Sequence, residues 1–549
     1  MNRILLGFAI GAALFAQNAG EPNDLALVGR IKTEAFEKSR VMDTMGYLTD
    51  VYGPRLTASP GFRGAADWAV KRLQGYGVQN VRLEKWGSFG RSWSLKQASL
   101  EVTEPSYSAL DAAPLAWSDN TAGTVTGELI FAPFGPAATQ DPKRLEENLN
   151  KFMAQWKGKL KGKIVLFSQA STLRPPTQPL FARYSDKELS DLAAAPTPTT
   201  KMQDVPDLKD LKFPDDPEQV REFQASLPTW ITDQLSAQRN EITARRVKFL
   251  RDEGVLAVLT TSGTSRNSLL FAQAAGPYDA KYPLAPPSFI VTAEQYNHLV
   301  RLLEKKISVK ARVNLQADTS PGNEDAYNIT GEIPGGAKAD EVIMIGAHFD
   351  SWHSGTGATD NAAGSAVMIE VMRILKSLNL KLDRTVRIAL WSGEEQGLLG
   401  SKAYVKEHFG DPDTMRLQEA HAKLSGYFNL DNGSGKIRGV YLQGNDAMRP
   451  VFERWLAPFR DQGVSTISIR NTGGTDHLSF DAVGLPGFQF IQDPLDYSTL
   501  THHSNVDTLD HIQGPDLMQA AAVIATVVYD AANRPDKLPR KELPVPARK

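Results

Sequence analysis

The sequence predicts an α/β fold in which a mixed, mostly parallel sheet is flanked by helices, with a β-rich domain inserted into the chain. Three observations carry that prediction. From Tyr327 onward, strand-like apolar runs alternate with helical stripes, as in βα units that feed a parallel sheet. The stretch 120–318 has a different texture, with short alternating pieces broken by Gly and Pro. The chain has 549 residues, 41% hydrophobic and 23% charged, which is ordinary globular composition with room for a large core.

Taken in order, the chain opens with Arg3 and an apolar run from Ile4 to Phe15, followed by small residues at Ala16 and Ala19. The run is too short to cross a bilayer and reads as a signal peptide over 1–19. No later stretch approaches the roughly 20 apolar residues of a membrane span, so no membrane association is expected after its removal. Residues 20–119 form the first part of the main domain. Ile31, Val41, Met45 and Leu48 lie on one helical stripe and Ala65, Ala69 and Leu73 on another, which predicts helices over 30–52 and 64–75. A strand over 78–86 and short β pieces over 94–134 follow. The insert, 120–318, carries a charged helical stretch over 136–160 and strands at 163–167, 255–260 and 287–291. Between them, repeated prolines from Pro175 to Pro217 exclude a continuous helix or central strand and mark an excursion over 174–217, either a loop that covers substrate or an irregular surface decoration of the insert. The domain 319–549 then carries strands at 342–347, 385–391, 427–430 and 487–491. One helix has the inward stripe Ala363, Val367, Val371 and Ile374, and a last helix carries Leu517, Ala521, Ile524 and Val528 after Gly514-Pro515.

Sixty-one basic residues against 63 acidic ones give a net charge of -2, so nothing in the balance favours nucleic acid or an acidic membrane surface. With no cysteine there is no disulfide, thiolate zinc site, iron–sulfur cluster or cysteine nucleophile. Any metal must be held by His, Asp and Glu. An exported chain without cysteine fits a secreted or periplasmic bacterial protein better than an animal one.

Residues of that kind gather just beyond the predicted strands. His348 and Asp350 follow 342–347, Glu394 and Glu395 follow 385–391, Asp431 follows 427–430, and a loop after 487–491 leads to His502 and His503. In an open α/β sheet the carboxyl ends of the strands converge on one crevice. Asp360 alone would read as a helix N-cap. The Gly355-Thr356-Gly357 turn lets the chain return toward His348, where a carboxylate can bridge two ions. Two divalent ions about 3.5–4 Å apart can polarise a carbonyl and generate hydroxide near neutral pH, with one carboxylate shared between them. Imidazole and carboxylate ligands suit zinc. We assign His348, Asp360 and Asp431 to one ion and Asp360, Glu395 and His503 to the other, giving two Zn2+ per chain. Glu394 is then free to act as general base, and Asp350 is expected to orient His348. His353 reads as a surface residue, and Asp476 and His477 either line the cleft or cap a helix.

The segments Gly346-Ala347-His348-Phe349-Asp350-Ser351, Ala358-Thr359-Asp360-Asn361, Leu390-Trp391-Ser392-Gly393-Glu394-Glu395-Gln396-Gly397 and His503-Ser504-Asn505-Val506-Asp507-Thr508 together resemble the co-catalytic di-zinc exopeptidase family of secreted aminopeptidases. The tandem His502-His503, Gly474-Thr475-Asp476 and Gly53-Pro54-Arg55-Leu56 most resemble its carboxypeptidase Q branch. The insert resembles a protease-associated domain at Lys161-Gly162-Lys163-Ile164-Val165, Gly254-Val255-Leu256-Ala257-Val258 and Pro287-Ser288-Phe289-Ile290-Val291. The resemblance implies the same ligand roles, hydrolysis of N-terminal residues from short peptides or dipeptides with a free N-terminus, and a homodimer as in many relatives. Many relatives place Tyr before the last His ligand where this chain has His502, which leaves Tyr497 or His502 for the oxyanion. Two other readings stay open: a non-catalytic receptor or binding module on the same fold, and an acyltransferase like the zinc glutaminyl cyclases.

Overall fold

The computed structural model describes residues 24–135, 141–198, 208–214, 223, 227 and 229–544. The segment 1–19, read above as a signal peptide, and part of the proline-rich excursion lie outside the described residues. Among those described, no helix is long and apolar enough to cross a membrane.

Two eight-stranded sheets organise the chain. In the first the strand order is Gln79–Gly90, Glu324–Ile333, Arg384–Trp391, Lys338–His348, Leu424–Asn429, Gly487–Gln492, Ile437–Tyr441 and Thr466–Ser468. The four in the middle, from Arg384–Trp391 to Gly487–Gln492, are mutually parallel, and antiparallel strands flank them on both sides. Ile343, Met344, Ile345 and Ala347 are wholly buried, because helices cover both faces and a parallel strand must be apolar all round. Burying each large aliphatic side chain contributes about 1.5–3 kcal/mol.

On one face the helix Ala363–Ser377 is buried along most of its length and packs against Gly514–Asn533 and Leu25–Glu37. Its start comes very close to the sheet. A Cβ at Gly364 would lie 2.2 Å from the Leu430 carbonyl oxygen, so only glycine lets the Asp360-Asn361 turn approach the end of Leu424–Asn429. The expected helix over 30–52 is divided into Leu25–Glu37, Val41–Gly46 and a wide turn Tyr47–Val51. Ser39, which interrupts the stripe, accepts a hydrogen bond from the backbone N–H of Val41.

The second sheet has the order Ser108–Ala109, Trp93–Glu104, Lys310–Thr319, Val125–Phe131, Lys163–Leu166, Ala257–Thr260, Ser288–Val291 and Ala112–Pro114. It therefore takes its first long strand from Trp93, upstream of residue 120. It is less purely β than its texture predicts. The helices Pro142–Trp156, Thr229–Asp252 and Ala293–Glu304 belong to the same region, and the second of these, 24 residues long, spreads its charges around the axis and hides its apolar stripe. The sheets meet at a buried aromatic cluster of Phe89, Trp93, Trp117 and Trp352. Trp352 lies in the loop between His348 and Asp360, so this contact ties the second sheet to the candidate site.

Candidate active site

The four central parallel strands of the first sheet end at the same level. His348 pairs in register with Trp391, and Gly346 with Asn429. The loops leaving these ends bring the sequence-predicted residues together. His348 Nε2 lies 3.1 Å from Asp360 Oδ1 and 3.4 Å from Asp431 Oδ1. His503 Nε2 lies 3.2 Å from Asp360 Oδ2 and 2.9 Å from Glu395 Oε2. Asp360 thus presents one oxygen to each imidazole. Glu394 is buried beside this group, 8% exposed.

Each side chain is held from behind. His348 Nδ1 is 3.0 Å from the backbone carbonyl of Asp350, which can only accept, so Nδ1 donates to it and Nε2 is left facing the carboxylates. The Asp350 carboxylate lies 3.7 Å from the same Nδ1, and it also accepts from Thr57 Oγ1 at 2.9 Å and from the backbone N–H groups of Glu394 and Glu395 at 3.3 Å each. Asp350 therefore fixes the backbone that carries the base and a ligand.

Three supporting residues carry no role in the sequence analysis. Asp507 accepts from the backbone N–H and hydroxyl of Thr359 at 2.6 and 2.8 Å and from the Asp360 N–H at 3.2 Å, anchoring the bridging turn. Arg55, fully buried, donates to the carbonyls of Leu48, Phe349, Thr356 and Gly357. Gln273, from the second-sheet region, places its side-chain amide nitrogen 2.9 Å from His503 Nδ1. Asp507 and Arg55 lie inside motif segments and were within reach of the sequence. No local pattern points to Gln273. His503 has φ 60°, a left-handed conformation uncommon outside glycine, and its loop is clamped where Asn505 and Leu270 exchange hydrogen bonds.

The electrostatics are those of a site built for cations. Buried oxygens of Asp360, Glu395 and Asp431 have no hydrogen-bond partner, although a buried carboxylate oxygen is costly to leave so. Burial opposes the charged form of His348, but Asp431, Glu394 and bonds to Asp350 and Asp360 outweigh it and raise its pKa well above the ordinary value. Burial likewise pushes Asp360 up, and His348 and His503 overcome it, holding the carboxyl below its usual range. Glu394 and Glu395 are raised well above theirs, first by burial and then by neighbouring carboxylates. The groups His348, Asp360, Asp431 and Asp360, His502, His503 each bring three ligand atoms within reach of one cation. An all-oxygen and imidazole donor set with orphaned anionic oxygens fits divalent ions such as zinc.

Around this centre, the ring of Tyr497 sits over Gly433 and 4.9 Å from that of His502. Burial raises the phenol's pKa well above 10, so it keeps its proton, and burial lowers that of His502. Asp476 is wholly buried, and burial pushes its carboxyl up to about 7. His353 is half-buried rather than on the surface, because Nε2 bonds the Pro114 carbonyl at 2.8 Å and its ring packs edge-on to Trp93.

Comparison with known proteins agrees with this geometry. Residues 328–528 match the family model described as Peptidase family M28. Carboxypeptidase Q of Rattus norvegicus is 24% identical over 519 residues, covering 94% of this chain and 89% of the relative. Other carboxypeptidase Q relatives match over about half of their own length. Among solved structures, a peptidase M28 precursor from Shewanella amazonensis superposes with a TM-score of 0.63 at 23% identity, covering 95% of this chain and 99% of the other. A zinc aminopeptidase from Bacillus subtilis gives a TM-score of 0.52 at 19% identity, covering 90% and 95%.

Proposed function

We propose, from the premise that residues 328–528 form a peptidase family M28 unit and that the chain is a metallopeptidase, that it is a di-zinc exopeptidase releasing N-terminal residues from short peptides or dipeptides. The observation that carries this reading is the meeting, at four parallel strand ends, of two imidazoles and three carboxylates with orphaned buried oxygens. In it, His348, Asp360 and Asp431 hold one ion and Asp360, Glu395 and His503 the other. When bound, the two ions polarise the scissile carbonyl and supply a water nucleophilic near neutral pH. Glu394 accepts the proton of the attacking water and returns it to the leaving amine. Its buried setting, which favours the protonated carboxyl, suits both halves of that task. The Tyr497 hydroxyl and the His502 ring supply neutral donors for the carbonyl oxygen as it gains charge. Carboxylates of the same cleft pair with the substrate's ammonium group, which restricts cleavage to free N-termini.

The division into a signal peptide over 1–19, a peptidase domain over 20–119 and 319–549, and an inserted protease-associated-like domain over 120–318 belongs to the same proposal, with the insert's sheet beginning at Trp93. So do a secreted or periplasmic location and a homodimer. The test is mass spectrometry of products from free and N-acetylated di-, tri- and pentapeptides incubated with zinc-loaded protein. Stepwise loss of N-terminal residues from the free peptides only is expected. Loss from the C-terminus, or no hydrolysis by protein carrying two ions, would overturn the reading. Formation of a cyclised N-terminal glutamine without hydrolysis would favour an acyltransferase instead.

A further inference from the structure

Beside the site lies a cavity of about 500 Å3 between the two sheet regions. Glu395, Gln396 and Trp352 line it from the peptidase side, and Arg246, Gln273 and Tyr278 from the other. Two of these polar groups have unspent hydrogen-bonding capacity. Gln396 has its side-chain nitrogen and oxygen both buried with no partner. Arg246 lies on the helix Thr229–Asp252, where other arginines find carboxylates: Arg245 bonds Glu146 at 2.6 Å and Arg251 bonds Asp119 at 2.8 Å. Among the described residues Arg246 has no hydrogen bond or ion pair. Its guanidinium instead stands over the rings of Phe134 and Phe167, at 5.8 and 5.5 Å. Burial without a counter-ion pushes its pKa down to about 10, which leaves it charged at neutral pH. A half-buried cation with aromatic neighbours and no anion is an incomplete ion pair. Lys281 lines the same cavity, but it is exposed and already faces Glu241 and Asp279 at 3.8 and 3.6 Å.

We propose that Arg246 receives a carboxylate of the substrate's leaving portion, which makes the protein selective for short peptides whose C-terminus is free. The inference rests on the exopeptidase reading above, because the cavity is reached from Glu395, where the scissile bond would lie. An extended chain advances about 3.5 Å per residue, so a leaving portion of roughly one to three residues fits a cavity of this size. The planar fork of arginine suits a terminal carboxylate, and the Gln396 amide on the peptidase side of the cavity can serve a peptide group of the same ligand. An acidic side chain could bring the same chemistry, although the C-terminal carboxylate is present in every short peptide.

The experiment compares kcat/KM of zinc-loaded protein for matched di- and tripeptides with free or amidated C-termini, and for amidated peptides with Asp in the second position. The wild-type protein should prefer the free acid at least about tenfold, the discrimination expected of one charge-assisted contact. In Arg246→Met that preference should shrink to within about threefold, with Arg246→Lys in between. A preference restored in the amidated Asp peptides would assign the carboxylate to a side chain. Equal rates for acid and amide in the wild-type protein, or an undiminished preference in Arg246→Met, would overturn the proposal while leaving the exopeptidase reading intact. Calorimetric binding of the same peptides to Glu394→Gln reads the contact without turnover. Absence of any hydrolysis by the wild-type protein would therefore sink the exopeptidase reading, while acid and amide bound equally would sink the role of Arg246.

Discussion

Each eight-stranded sheet contains four parallel strands in a row, yet the two end those strands very differently. In the second sheet, Lys163–Leu166 runs out to Ser168, Ala257–Thr260 to Thr261 and Ser288–Val291 to Thr292. These groups satisfy one another: the Thr261 N–H donates to Ser168 Oγ at 3.1 Å, Thr261 Oγ1 donates to the Val291 carbonyl at 2.8 Å, and Tyr296 donates to the Ser168 carbonyl at 2.7 Å. In the first sheet the equivalent ends carry His348, Glu394, Glu395 and Asp431, and buried oxygens of Asp360, Glu395 and Asp431 there have no hydrogen-bond partner. Parallel strand ends provide a place for a site, and side-chain identity decides whether it is closed by hydroxyls or left for cations. The two regions then cooperate, since Gln273 and Leu270 of the second hold the loop carrying His503.

The sharpest way to break the comparison is to change the chemistry of the first region without disturbing its charges' scaffold. Glu394→Gln should lower turnover by about 10²–10⁴-fold while retaining bound metal, as measured by steady-state kinetics and elemental analysis. Unchanged turnover would remove Glu394 as the base. Asp350→Asn should cost about 10–100-fold in activity or zinc affinity, because its oxygens accept from the N–H groups of both Glu394 and Glu395. A loss confined to His348 spectroscopic signals, with the Glu394 loop unaffected, would assign the carboxylate's main effect to the imidazole instead.

A half-buried carboxyl outside the cleft offers a control. Burial pushes Asp530 up to about 7 from its ordinary 3.8, with Asp24 adding to the shift and Arg454 opposing it. The folded state thus holds this proton more tightly than the unfolded chain, and stability is lost as pH rises from about 4 to about 7. Asp530→Asn should gain about 1–2 kcal/mol at pH 8 and nothing near pH 4, read from urea unfolding of metal-free protein at both pH values. An equal gain at both would assign the effect to packing. The smallest change is expected in the second sheet, where Ser168→Ala removes one acceptor and should cost about 1 kcal/mol of stability with turnover within about twofold of wild type. A large loss of turnover would mean that those strand ends also serve the chemistry.

Much of the first region was legible in the sequence, because its strands are continuous apolar runs and its ligands follow them directly. Lys338–His348, Arg384–Trp391, Leu424–Asn429 and Gly487–Gln492 each contain or overlap the predicted run. The consecutive strands Lys310–Thr319 and Glu324–Ile333, which lie in the second and the first sheet respectively, were not read, since polar Asn314, Gln316, Asn328 and Thr330 interrupt their apolar pattern. The helix Thr229–Asp252 was hidden by charges distributed around it. At the site, the sequence put Asp350 behind His348 but held no sign that its carboxylate also accepts from the backbone N–H groups of Glu394 and Glu395. Gln273 and Arg246 reach the site by tertiary packing across about 230 and 150 residues of chain from the ligands, a distance over which local pattern carries no signal.

In the proposed site Asp360 joins two ions whose other ligands come from separate strand ends. The most direct test is the zinc content of wild-type protein and Asp360→Ala after reconstitution and exhaustive dialysis, with circular dichroism to establish that both are folded. The account predicts two ions per chain in the wild-type protein and fewer than one in the variant. One ion in the wild-type protein, or both retained in folded Asp360→Ala, would contradict it.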